Sequence, residues 1–505
     1  MKKENKVMVK NSMTMYVRMV VVILISLYTL PIILRALGAE DYGIYQVVGG
    51  FVSLFAFVQA SLASGCERFY AFAIGRGERK ELKSVFVTSR TIFFVLALFA
   101  FLIVEIVGAW FLNCKMVIPN DRMYAANCVF HFSAVTFALG LFMTPYHSSM
   151  IAHEHISTYA YVSIFEVLAR LAVVFLLVAY PDDKLIFFAL SIFIISFLSQ
   201  VFYLIYAYKH FEETRTLSLK YKPGLIIDLA AYAGWNIIGA FSNILRTHGL
   251  NVVMNLFFGP LLNAAHSLSS TISGLMNQLI SNVYMVTRPQ MVKQFAMGNE
   301  EEMWGIVFKS SKFTIFLLSL VIVPLIIEMD FVLKLWLGEY PQYTNDIAIF
   351  MIIGILIECM SNQIIGAFQA KNKIKYCQII PNIVTLSVIP ISYLFLSIYN
   401  KPTLPYIISV FISVIYSISV LLLAYKYINF DFSKYVVNVI IRSITPLLFT
   451  LLLTKMVIGH FDPSFLRLII TVLISAFLNI ICMWYFGLDK LEHNIIKNFI
   501  TQRIK

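Results

Sequence analysis

"FAIGRGERKELKSVFVTSR", Phe72–Arg90, returns in altered form as "FAMGNEEEMWGIVFKSSK", Phe295–Lys312. Each copy opens on Phe-Ala, a large apolar residue and Gly. Each crosses a charged patch and closes on Phe, any residue, Ser or Thr, Ser and a basic residue. A charged stretch that recurs after about 220 residues marks two related halves of one chain. What lies around the two copies decides what those halves are.

Outward from both copies the chain is apolar. Of 505 residues, 60% are hydrophobic and 13% charged, and 43 are Phe. A soluble domain carries about 25% charged residues, so the composition is that of a membrane protein. Measured against the ~20 apolar residues that a spanning helix needs, the sequence predicts about fourteen spans. They fall at 13–34, 44–65, 86–112, 124–150, 157–180, 185–208, 232–257, 262–286, 306–328, 345–369, 377–399, 404–425, 436–458 and 465–487. The first apolar run is too long for a signal peptide and lacks a small-residue cleavage site, so it is expected to be a true span. No connecting loop is long enough for a soluble domain, which places the chemistry within or between helices.

Loop charge sets the expected orientation. With the N-terminus inside, the inner segments hold Lys2, Lys3, Lys6, Lys10, Arg68, Arg76, Arg79, Lys80, Lys83 and Arg90. They also hold Lys209, Arg215, Lys220, Lys222, Arg288, Lys293, Lys371, Lys373 and Lys375, with Lys490, Lys497, Arg503 and Lys505 in the tail. The outer segments hold only Arg35, Lys115, Arg122, Lys184, Lys334, Lys401, Lys455 and Arg467. Both termini are therefore expected in the cytoplasm, and the net charge of +12 follows from topology. The dispersed charges give no support to nucleic-acid binding.

Both quoted stretches then fall in inner loops, after spans two and eight. An offset of six spans is even, so the repeats are parallel, an arrangement known among transporters. A second echo agrees: "LGAEDYG" (Leu37–Gly43) follows span one and "FFGPLLNAA" (Phe257–Ala265) follows span seven. The expected fold is all-α, with two parallel six-helix lobes around a central cavity and two extra C-terminal helices. The divisions are 1–214 for helices 1–6, 215–428 for helices 7–12, and 429–505 for helices 13–14 and the tail.

Candidate cavity residues follow from helical spacing. In span seven, Asn236, Asn243, Arg246, Thr247, Asn251 and Asn255 share about half the helix circumference. In span eight, Asn263, His266, Ser267, Ser270, Ser273, Gly274, Asn277 and Ser281 recur at three- and four-residue steps. Such stripes are costly against lipid and should face protein or water; helix packing also favours small and polar residues. Intramembrane charges are a sharper signal, at roughly 3 kcal/mol each on insertion scales. Arg246, near mid-span with no acid three or four residues away, is expected to contact an anion. Arg18 lies about one turn inside span one, within snorkelling reach. Glu166 and Arg170 share a helix face, either as a neutralising pair or as a cavity site. Glu105 and Glu358 are lone acids that could carry a coupling ion. His131 and His266 have the neutral, hydrogen-bonded state as their ordinary alternative.

Other chemistries find no motif. There is no G-x-x-x-x-G-K-[ST] stretch, no C-x-x-C and no H-E-x-x-H. Cys66, Cys114, Cys128, Cys359, Cys377 and Cys482 are scattered, so neither a metal site nor a disulfide framework is expected. No nucleophile–base constellation is legible, and neither catalytic residues nor cofactors are expected.

With these residues in view, "LGAEDYGIYQVVGG", "GWNIIGAFSNILRTHGLNVVMNLFFGPLLNAA" and "RPQMVKQFAMGN" resemble the polysaccharide-transport branch of the multidrug/oligosaccharidyl-lipid/polysaccharide exporter superfamily. This branch includes bacterial O-antigen and capsule-repeat flippases, and the resemblance covers nearly the whole chain. It implies fourteen spans in two lobes, and an oligosaccharide on undecaprenyl pyrophosphate turned from the inner to the outer leaflet over cationic cavity residues. In "NAAHSLSS", His266 stands where such proteins often carry Arg, so a fixed cation there requires a protonated histidine. The resemblance makes the substrate-facing set Arg246, Arg18, Arg170, Asn243, Asn251, Asn255, Asn263, His266 and Asn277, with Glu105, Glu166 and Glu358 as ion-coupling candidates. Expected partners are the lipid-linked oligosaccharide, membrane lipids, H+ or Na+, and polysaccharide polymerase and chain-length proteins. The competing functions are an ion-coupled drug or metabolite antiporter of the same superfamily and a peptidoglycan-precursor flippase. A membrane polymerase or ligase should carry a long outer loop, whereas the longest outer stretch, Phe331–Asp346, is short.

Overall fold

The computed structural model describes residues 2–75, 78–153, 155–216, 224, 241–242, 244–371, 373–459, 461–489 and 492–493. Among them the secondary structure is helical, with no strand. Among the described residues, eleven helices are long and apolar enough to cross a bilayer. The other three expected spans have local explanations. The first two meet at a kink at Gly38 within α1 (Lys2–Ser53), and the second continues into α2 (Ala56–Gly75). Span seven lies partly outside the described residues. Span eight is part of a long, polar-rich helix, Pro260–Ala296.

The chain divides into two compact units, Met1–Ala264 and Ala265–Lys505. In the first, α1 and α2 are followed by α3 (Arg79–Cys114), α4 (Met123–Ala152), α5 (Ile156–Ala179) and α6 (Lys184–His210). A π-helical turn, Leu245–Gly249, leads into α7 (Leu250–Phe258), and α8 (Pro260–Ala296) begins in this unit. The repeat read from sequence has a backbone counterpart. Gly38 breaks α1 at φ 80°, and Gly259 ends α7 at φ 73°. Both lie in the echoed segments, and both take a left-handed conformation that only glycine adopts without strain. The quoted stretches match in the same way: α2 ends at Gly75 and α3 starts at Arg79, while α8 ends at Ala296 and the next helix starts at Glu300.

Two features hold the first unit. Ile44, Val47, Val48 and Phe51 of α1 pack on Val129 and Phe130 of α4 in a buried core. At one end of the unit, Arg122 forks onto two carboxylates, Asp41 at 2.7 Å and Asp183 at 2.8 Å. Asp183 also caps α6, accepting from the Leu185 and Ile186 amides. Burial pushes the Asp183 carboxyl up, but the bonds from Arg122 and the two amides outweigh it and hold the group below its usual range.

The second unit contains α9 (Glu300–Leu337), α10 (Thr344–Ala370), α11 (Ile374–Leu386), α12 (Val388–Tyr399), α13 (Leu404–Ile428), α14 (Arg442–Ile458) and α15 (Phe465–Cys482). Three of its buried charged side chains, those of Lys312, Lys371 and Glu328, are paired. Lys312 of α9 meets Glu492, with Asp489 at 3.8 Å. Lys371 meets Glu300 and donates to the Ile428 carbonyl at 2.6 Å. Asn479 of α15 donates to the Ser319 hydroxyl of α9 at 2.6 Å.

Candidate functional site

Helix α5 carries the clearest charged face. At 100° per residue, His155, Tyr159, Glu166 and Arg170 fall within an arc of about 60°. Tyr161, Phe165, Leu168, Phe175 and Leu176, all exposed, occupy the opposite side and form the stripe expected to meet lipid. Arg170 is exposed and Glu166 half-buried, both on the side away from that stripe. Arg170 is thus accessible on the side of α5 away from the lipid stripe, and a charge there needs water or a ligand to meet it. The four-residue spacing would allow a pair, yet no ion pair joins Glu166 to Arg170 among the described residues. Of the two sequence readings, the self-neutralising pair is the one that the side-chain positions do not favour.

Arg18 of α1 joins this face. Its guanidinium lies 5.2 Å from the Tyr159 ring centroid, a cation–π distance, and its Nε is buried without a hydrogen-bond partner. Tyr159 stacks on Tyr203 of α6, with ring centroids 6.1 Å apart. The Tyr203 hydroxyl lies within electrostatic reach of both Glu166 and Arg18, and the Tyr45 hydroxyl within reach of Arg170. Three residues far apart in sequence thus share one side of the first unit.

The asparagines of spans seven and eight are placed differently. Asn251, Asn255 and Asn263 are 3%, 0% and 0% exposed and form a closed amide lattice. Asn255 donates to Asn263 Oδ1 at 2.9 Å, and Asn263 donates to Asn251 Oδ1 at 2.7 Å. Asn255 also accepts from the Val117 amide at 3.0 Å and donates to the Val117 carbonyl at 3.2 Å. Asn251 reaches the Gln46 carbonyl at 3.4 Å. The lattice joins α7 and the start of α8 to α1 and to the segment after α3. Beside it, Gly43 packs so closely that an added Cβ would sit 1.9 Å from the Pro260 carbonyl oxygen. Arg246 lies half-buried in the π-helical turn, an irregularity frequent at functional positions. Asn243, like Asn236, lies outside the described residues.

In the second unit, His266 is buried and its Nδ1 is 2.8 Å from the Tyr406 hydroxyl. Asn277 is exposed. Glu358, half-buried, accepts from the Ser413 hydroxyl at 2.6 Å. In the first unit, Glu105 pairs with His131 at 2.9 Å, so two residues that stood alone in sequence are partners. Sequence reasoning missed an intramembrane pair: Glu328 of α9, 3% exposed, takes Arg467 Nε at 2.8 Å and the Thr471 hydroxyl at 2.9 Å. Its only sequence signal is an acid and a base near the ends of two spans.

No family model and no curated protein matches the chain. Solved structures do. Lipid II flippase MurJ in an inward closed conformation superposes with a TM-score of 0.70 at 13% identity, covering 95% of this chain and 98% of that one. An inward-facing multidrug resistance MATE family transporter gives 0.65 at 14% identity, covering 80% and 94%. A MOP superfamily transporter from Pyrococcus furiosus gives 0.60 at 14% identity, covering 85% and 96%. At these identities the likeness is one of fold. The chain is an all-helical, multi-pass membrane protein with the fold of MOP-superfamily transporters.

Proposed function

We propose that this protein is a flippase for a lipid-linked oligosaccharide. It moves an undecaprenyl-pyrophosphate-borne repeat from the inner to the outer leaflet of a bacterial cytoplasmic membrane, by alternating access, to supply surface polysaccharide such as O-antigen or capsule. The observation that carries this reading is the position of Arg170, exposed on the face of α5 turned away from the lipid stripe, with Arg18 on the same side. A diphosphate suits guanidinium groups, which offer parallel charge-assisted hydrogen bonds. Arg246 is proposed as a third contact. Asn277, exposed, is proposed to face sugar hydroxyls, while Asn251, Asn255 and Asn263, and His266 closed onto Tyr406, serve the substrate by shaping the helices beside it. The polyprenyl tail stays in lipid.

Deletion of the gene should cause one lipid-linked oligosaccharide to accumulate on the inner leaflet, read by mass spectrometry of extracted lipids. An unchanged lipid-linked pool would refute the reading. Rescue of a strain lacking peptidoglycan-precursor export would redirect it to that substrate. A second reading, an ion-coupled antiporter, draws on the likeness to the multidrug transporter fold; cation-drug extrusion from loaded vesicles would favour it.

The proposed topology places Arg79 and Glu301 in the cytoplasm and Glu339 and Lys401 outside. Cysteine substitutions exposed to an impermeant thiol reagent in intact cells should label only at 339 and 401. Labelling at 79 with protection at 339 would invert the arrangement.

A further inference from the structure

Helices α3 and α4 carry a polar seam on an otherwise apolar surface. Phe94, Leu98, Leu102 and Ile106 of α3 are all exposed. At 100° per residue they share an arc of about 120° with Glu105. A stripe of this composition on a spanning helix is the side expected to meet lipid. Glu105 lies on it, paired with His131 of α4: Nδ1 is 2.9 Å from one carboxylate oxygen and 3.2 Å from the other. Protein does not cover the pair, since the Glu105 side chain is 22% exposed and that of His131 52%. A second polar rung lies nearer the helix ends. Asn113, exposed and on the same stripe, donates to Asn127 Oδ1 at 3.1 Å, and Asn127 returns the bond at 3.0 Å.

The first rung is deep. Glu105 stands nine residues before the end of α3, and His131 eight after the start of α4. At 1.5 Å per residue that is about 12–14 Å from the helix ends, well inside a hydrocarbon core ~30 Å thick. Ionisable groups at such depth ordinarily turn to the protein interior or to a water-filled cavity. This pair shares the lipid-facing stripe instead. Its internal bond uses only one of the two imidazole nitrogens. His131 Nε2 and the outer lone pairs of the carboxylate have no protein partner among the described residues. The seam thus holds one unserved ring nitrogen and one unserved acceptor at the same depth.

We propose that the α3–α4 seam is an interface with a second copy of this protein. The occupant follows from self-complementarity. Two copies in one membrane share an orientation, and a twofold axis along the membrane normal brings the same residues together at the same depth. His131 Nε2 of each copy then meets the Glu105 carboxylate of the other. As an imidazolium, His131 donates through both nitrogens, one to its own Glu105 and one to the neighbour's. The result is a closed ring of two acids and two bases in alternation, with the Asn113–Asn127 rung of each copy beside it. In lipid, where apolar contact alone gives little drive to associate, interhelical hydrogen bonds of this kind hold spans together. The contact is isologous, so assembly closes at two. The inference stands on α3 and α4 and does not depend on the transported substrate.

The test counts copies of the full-length protein, fused at its C-terminus to a fluorescent protein and diluted in liposomes, by stepwise photobleaching. Wild type should bleach in two steps at dilutions where Glu105→Leu/His131→Leu bleaches in one, with the dissociation constant raised about tenfold or more. The exchanged variant Glu105→His/His131→Glu keeps the ring with its members swapped. It should restore two steps, an outcome that a general loss of folding does not give. A photo-cross-linking residue at position 102 should join two copies in cells, whereas one at position 395, exposed on α12, should not. Single-step bleaching of wild type at every dilution, two-step bleaching of the leucine variant equal to wild type, or capture of a different protein at position 102 would overturn the proposal.

Discussion

The α5 face of the first unit and the α9 core of the second treat charge differently. In the second, Glu328 is held by Arg467 and Thr471, Lys312 by Glu492, and Lys371 by Glu300 and a backbone carbonyl. In the first, Arg18, Glu166 and Arg170 share a face without an ion pair among the described residues. A charge in the membrane costs free energy unless something meets it. Where a side chain meets it, the charge is part of the scaffold. Where open space meets it, water or a ligand has to. The first unit's face is therefore where the proposed anion contacts lie, and the paired charges of the second are part of its scaffold. Not every charge in the first unit is open, since Arg122 is fully engaged by Asp41 and Asp183; the contrast concerns the α1, α5 and α6 face.

The largest effect is expected where a buried pair is broken. Arg467→Ala leaves Glu328 charged and buried, which costs about 3–5 kcal/mol. The variant should reach the membrane poorly and melt well below wild type, whereas Glu328→Gln/Arg467→Gln should recover much of the loss. A thermal-shift series in detergent reads this, and a wild-type Tm for Arg467→Ala would break the contrast between the units.

Arg170→Ala and Arg246→Ala should instead lose export, Arg170→Ala at near-wild-type Tm and membrane level. Each removes a charge-assisted bond to phosphate worth about 1.5–3 kcal/mol, or roughly a 10- to 150-fold loss in rate. Arg246→Lys should recover part of it, keeping the charge without the planar fork. Complementation of surface polysaccharide measures the outcome, and full export by both alanine variants would remove the anion role.

Gly43→Ala comes next. Its Cβ would lie 1.9 Å from a backbone oxygen, so α1 and the start of α8 must separate at a cost of about 1–3 kcal/mol. Because the asparagine lattice lies beside this contact, the variant should lose both stability and export, unlike Arg170→Ala.

The smallest effect is pH-dependent. His155 binds its proton less readily when folded than its ordinary value of 6.5, so the unfolded chain holds more protons in the window just below 6.5. Stability then falls as pH drops through that window and returns as pH rises. Tm measured across it should slope upward with pH, and His155→Gln should flatten the slope by a fraction of a kcal/mol.

Much of this organisation was legible in the sequence because its signals are local. Apolar length, loop charge and the repeated Phe-Ala-x-Gly stretches each act within one span or turn, and the paired glycines Gly38 and Gly259 lie in the echoed segments. Arg18, Glu166 and Arg170 stood out because a charge within an apolar run needs no partner to be noticed. Asn251, Asn255 and Asn263 stood out as polar, but a stripe of amides reads alike whether it faces water or folds onto itself. Glu328 escaped notice because its partner lies 139 residues away.

The sequence by itself determined a multi-pass helical protein with charges placed inside spans, because hydrophobic length and helical periodicity are properties of short segments. Tertiary structure alone decided which charges are spent on one another. Pairing is a matter of ångströms across helices. It joined Glu328 to Arg467 and Glu105 to His131, closed the asparagines into a lattice, and left Glu166 and Arg170 of α5 without an ion pair among the described residues.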